Sequence, residues 1–280
     1  MHTVIGHEIG HFYQQTYFLE ILAQDWEART VNELLPTLST RYQTLDEQLL
    51  QAQEILKIYR GMVREILPDV IGYLLFGPSI LFAHYCFSSW MNDKIPPSVQ
   101  SNYYPPLKMR MRILYENYFQ KDVLAIKKSR GGIFKKTILN LDTNLDKYLQ
   151  IQDDISLLNS NFHSAEALKI FNRTLQDIIK FCKSKIDKNI YKFNPRIINE
   201  LINRIDDNIP PNEIQAKPIK LGDIFLSGWI YYFHSLDDEI FSNGDNYIIR
   251  YDIISKLLLK ASNLAFIHTL YKERSGGNIK

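Results

Sequence analysis

Apolar positions recur along most of this chain at intervals of three and four, the spacing that puts side chains on one face of a helix. The clearest run is Leu45, Leu49, Ala52, Ile55, Leu56, Tyr59, Met62, Val63 and Ile66. Thr44 and Glu47 open it as a capping box, in which each side chain satisfies the free backbone donor of the other residue. Further helices are expected near 3–24, 107–126, 133–158, 164–187, 194–205, 221–236 and 246–273. Pro36 is expected in a loop, and Pro68 is expected to kink or restart its helix. Gly77-Pro78 should break the next helix, and 96–106 should be a loop. No run of alternating strands stands out, so the expected fold class is all-α.

The segment KKSRGG (127–132) is the best break in the pattern. It divides the chain into a region 1–128, which carries the interpretable chemistry, and a helical region 129–280. The apolar stretch Val70–Phe87 lacks Asp, Glu, Lys and Arg. It contains Gly77-Pro78 and His84 and is at the lower length limit for crossing a bilayer, so it reads as a buried helix pair. Trp229, Tyr231, Tyr232 and Phe233 read as core.

Composition narrows the function classes. A net charge of +2 gives no whole-chain attraction to nucleic acid or an anionic membrane, so neither is expected as a partner. The basic residues Lys127, Lys128, Arg130, Lys135 and Lys136 have only Phe134 beside them as an aromatic and read as solvated. The two cysteines, Cys86 and Cys182, form no motif and sit in apolar stretches. They read as buried free thiols, consistent with a reducing, cytoplasmic setting and with the absence of a secretory signal.

Against this background, VIGHEIGHFY (4–13) contains His7-Glu8-x-x-His11. Residues four apart share a helix face, so both imidazoles can reach one zinc ion at about 2.0–2.1 Å. Glu8 is rotated about 100° from His7, where it can take a proton from an activated water without binding the ion. Chance produces such a pattern in roughly one chain per hundred of this composition. The uncharged flanks Val4, Ile5, Ile9, Gly10, Phe12 and Tyr13 resemble the extended zincin signature.

The third ligand separates the families that share this motif. Gln14 and Tyr17 stand where metzincins need Gly and His, and no cysteine precedes His7, as deformylases require. Glu65-Ile-Leu-Pro-Asp69 resembles the second element of gluzincins, and Ile58, Met62, Glu65, Asp69 and Gly72 form one helical stripe. The resemblance implies a zinc metallopeptidase with His7, His11 and Glu65 as ligands, Glu8 as catalytic base, and Asp69 orienting a ligand histidine, most naturally His7. Its substrate would be a peptide or protein. Glu33, 22 residues after His11, is the rival third ligand. The later segments PPLKMRMR (105–112), LGDIFLSGWIYYF (221–233) and LLLKASNLAFIH (257–268) also resemble a group of uncharacterised bacterial H-E-x-x-H proteins.

Gluzincins place strands ahead of the H-E-x-x-H helix, and only six residues precede His7. The resemblance therefore implies a missing substrate platform and weak or no peptidase activity. A helical interaction protein with a structural or vestigial zinc site is the alternative. His84, Tyr103, Tyr104 and Arg110 are possible donors to a developing oxyanion, but no spacing rule selects among them and ordinary packing or solvation is the favoured reading of each; His163, His234 and His268 are scattered.

Overall fold

The computed structural model of the chain describes residues 2–15, 25–91, 105–129, 131–150, 165–186, 190–214, 217–236 and 244–274. The fold is all-α. Its helices are α1 (His2–Tyr13), α2 (Asp25–Leu38), α3 (Leu45–Phe76), α4 (Ser79–Met91), α5 (Leu107–Leu114), α6 (Gln120–Lys127), α7 (Ile133–Gln150), α8 (Ala165–Ile186), α9 (Pro195–Asp206), α10 (Leu221–Leu236) and α11 (Gly244–Arg274). A π-helical turn, Tyr115–Phe119, joins α5 to α6. The only extended pairing among the described residues is the two-residue ladder Glu213–Ile214 with Lys217–Pro218.

The 32-residue α3 is the spine. Its first turn is fixed by the expected box: Thr44 Oγ1 accepts from the Glu47 amide at 3.3 Å, and the Thr44 amide donates to Glu47 Oε2 at 3.2 Å. Its first half alternates buried and exposed positions and packs against α2 and α8. From Ile66 to Leu74 every residue is buried, because α1, α4, α5 and α10 close round this half. The helix ends at Gly77, whose φ of 70° lies in the left-handed region that glycine tolerates. Val70–Phe87 is thus the buried helix pair expected, with only Leu75, Tyr85 and Phe87 not fully buried.

Helices on both sides of the 127–132 break share one apolar core: α10 packs against α3 and α4 as well as α7, α9 and α11. Trp229 and Tyr232 are buried within it. Cys86 and Cys182 are buried and free, and burial pushes their thiols up to about 11 and about 12. In the basic segment, Lys135 Nζ donates to the carbonyls of Lys127 and Ser129 and so caps the end of α6.

Two expectations are corrected. Pro36 lies inside α2, which begins at Asp25 where a loop was expected, and α3 continues through Pro68 rather than restarting there. A proline inside a helix forfeits one hydrogen bond and crowds the preceding turn, at about 3 kcal/mol. At Pro68 that cost is offset by burial on every side. The first helix is described as α1 to Tyr13 and continues in π-helical form at Gln14 and Gln15. The 16–24 part of the expected first helix, most of the 96–106 loop and 151–158 lie outside the described residues. Among the described residues, one segment, Tyr251–Leu270 of α11, is long and apolar enough to cross a membrane by length and composition.

Candidate metal centre

The position of α1 is set by what it lacks. A Cβ built on Gly10 would lie 2.3 Å from the Pro68 carbonyl oxygen and 2.5 Å from its Cα. One built on Gly72 would lie 3.1 Å from the Gly6 carbonyl oxygen. Gly6 and Gly10 are one helical turn apart, so they form a smooth strip that lets the α1 backbone press against α3 between Pro68 and Gly72. His7 and His11 each follow one of these glycines and are thereby held over Glu65 and Asp69.

This crossing gathers His7, His11 and Glu65, with one ligand atom of each within 4.8 Å of the others. His7 Nε2 is 3.5 Å from Glu65 Oε2, and the His7 and His11 rings meet edge-on at a centroid distance of 4.5 Å. Ligands on a tetrahedral zinc at about 2.0–2.2 Å stand roughly 3.3–3.6 Å apart. The His7–Glu65 separation already fits, and the His11 ligand atom lies within 4.8 Å of both. Two imidazole nitrogens and one carboxylate oxygen are a donor set that zinc accepts. Glu8 is exposed on the adjoining face of α1.

Beneath the cluster, Asp69 is only 1% exposed. Its Oδ1 takes three donors: His7 Nδ1 at 2.9 Å, His84 Nε2 at 2.9 Å and Arg110 Nη2 at 2.8 Å. Its Oδ2 takes Arg110 Nε at 2.6 Å, which completes a two-pronged guanidinium–carboxylate pair. The 3.2 Å approach of Arg110 Nη2 to His7 Nδ1 follows from this shared acceptor. With Nδ1 engaged by Asp69, His7 turns Nε2 toward Glu65, the orientation a metal ligand needs.

Burial alone would raise the Asp69 pKa, but the charges of His84 and Arg110 and the hydrogen bonds from His7 and His84 hold it well below the usual carboxylate range. Burial alone would lower that of His7. Its bonds to Asp69 and Glu65 outweigh burial and raise it from 6.5 to about 9 in the metal-free protein.

The other sequence candidates fall elsewhere. Glu33 Oε2 is paired with Arg173 Nη2 on α8, and Glu33 is not part of the cluster. His268 faces Glu213 at 3.9 Å, and His234 Nδ1 is buried with no hydrogen-bond partner. Tyr103, Tyr104 and His163 lie outside the described residues. His84 and Arg110, weighed from sequence as oxyanion donors against ordinary packing, are partners of Asp69. The signal that points to them is Asp69 itself: a carboxylate on an apolar stripe must find countercharge when buried.

Comparison with protein-family models, curated proteins and solved structures returned no match. The functional reading therefore rests on the residues themselves.

Proposed function

We propose that this chain is a zinc-dependent hydrolase of peptide bonds. One observation carries the reading: His7 Nε2 and Glu65 Oε2 stand at metal-ligand separation beside His11, while Asp69 takes the other nitrogen of His7. His7, His11 and Glu65 would hold the ion. When bound there, zinc would polarise a scissile carbonyl and lower the pKa of water. Glu8, exposed beside the cluster, accepts the proton of the attacking water and passes it to the leaving amine. One water is consumed, and one carboxyl and one amine are released. Asp69 keeps the His7 ring from rotating. The substrate would be a peptide or protein, and the free buried thiols support the cytoplasmic setting expected from sequence.

A second reading follows from the close seating of α1 on α3: the ion would act as a structural staple in a helical interaction protein. Zinc content of the purified chain and of its Glu65→Ala and Glu33→Ala variants tests the site. About one zinc per chain, lost only in Glu65→Ala, is expected. A Glu8→Gln variant then separates the readings. It should retain zinc and lose hydrolysis of an unfolded protein substrate by roughly 10²–10⁴-fold. A zinc-loaded chain with no such activity to lose would leave the staple.

A further inference from the structure

Asp69 is served by more donors than orienting one histidine requires. It faces His7 on α1, His84 on α4 and Arg110 on α5, which lie 62, 15 and 41 residues away in the chain. Arg110 grips it side-on, Nε to Oδ2 at 2.6 Å and Nη2 to Oδ1 at 2.8 Å. Two bonds from one planar guanidinium fix the plane of the carboxylate, which a single-point contact cannot do. His84 Nε2 approaches the same oxygen that His7 uses. Arg110 and Asp69 are almost completely buried, and the His84 side chain is only 8% exposed.

From this arrangement we infer that Arg110 and His84 are positioning residues for the metal site: they clamp Asp69 in the one orientation that presents His7 Nε2 to Glu65. The inference rests on the metal-site reading above. Groups that orient ligands from behind typically govern metal affinity by 10–100-fold. Arg110 is not one of the three clustered ligand residues, and it acts through Asp69 and then His7. A lysine would keep the charge at this point but lose the fork, so charge and geometry can be told apart.

The test uses the full chain and zinc alone as the probe, with affinity read by competition against a chromophoric chelator and stability by urea unfolding. Arg110→Lys, Arg110→Met and His84→Gln are each expected to weaken zinc binding, the two Arg110 variants by 10–100-fold. A merely structural role is separated by the double variant Asp69→Leu/Arg110→Met. It removes both buried charges together, so it should be more stable than Arg110→Met. Its zinc affinity should remain as weak as that of the single variant. Affinity that follows stability across the set, or wild-type affinity in Arg110→Lys, would overturn the clamp while leaving the metal site standing. An unaltered chain that binds no zinc would overturn both.

Discussion

Replacing Gly10 by alanine adds one methyl group, touches no candidate ligand, and should still weaken zinc binding at the proposed site. The new Cβ would lie 2.3 Å from the Pro68 carbonyl oxygen, whereas ordinary contact begins at 3.4 Å. The obstacle is backbone in the middle of a helix buried on all sides, so it cannot turn aside. The first helix must back away by about 1 Å, and ligand distances in a metal site tolerate only ~0.2 Å. Two stability terms oppose each other. Overpacking costs about 1–3 kcal/mol, while alanine in place of glycine favours the helix by about 1 kcal/mol. The net loss of stability is therefore small, on the order of 0–2 kcal/mol. Zinc affinity should fall at least ~10-fold, the lower end of what misdirected ligands cost. The assay is zinc competition titration beside circular dichroism. Gly6→Ala is the control, because its Cβ meets the Ile80 Cδ1 methyl, the movable end of a side chain, and the effect should be smaller. A folded Gly10→Ala chain with wild-type zinc affinity would refute the idea that backbone contact sets the site.

The remaining predictions concern protons and caps. The folded-state pKa of Asp69 is depressed, so its contribution to stability is present above about pH 4 and lost as pH falls through the folded value. Urea midpoints should drop more steeply in acid for the unaltered chain than for Asp69→Asn, and equal slopes would count against this. His7 is raised from 6.5 to about 9, burial being outweighed by its bonds to Asp69 and Glu65. In the metal-free chain its stabilising contribution is complete below pH 6.5 and is lost as pH rises through about 9. Zinc must displace that proton, so calorimetry at pH 7 in buffers of different ionisation enthalpy should show about one more proton released by the unaltered chain than by His7→Ala, and an equal release would count against this site. Thr44→Ala should cost about 1 kcal/mol in urea unfolding by removing the cap of the spine helix, without changing zinc affinity.

Local patterns and tertiary partners were unequally legible in the chain. The helices near 107–126, 164–187, 194–205 and 246–273 follow the apolar period closely, because each buries a stripe, while the one near 221–236 is apolar and buried on almost every side. Proline rules describe the local cost: at Pro68 burial offsets it from outside the helix, so α3 does not restart, whereas Pro36 is exposed within α2 and has no such offset. The histidine spacing of α1 and the carboxylate spacing of α3 are local, so His7, His11, Glu65 and Asp69 could be named as candidates. Gly6 and Gly10 could not be valued, because their importance lies in Pro68 and Gly72 on another helix. The pairing of His84 and Arg110 with Asp69 was out of reach for the same reason: no fixed interval ties either to it.

The glycine strip of α1 has a consequence for how the molecule breathes. A helix of twelve residues is marginal on its own in water. This one meets its neighbour partly through hydrogen atoms rather than interlocking side chains, so little mechanical catch resists its lifting away. Three groups from distant parts of the chain converge on Asp69, and one of them, His7, rides on that helix. Detachment of the helix would thus dissolve the ligand set in a single event. Amide hydrogens of residues 6–13 should then exchange together and faster than those of 66–74, and loading with zinc should slow them as a block.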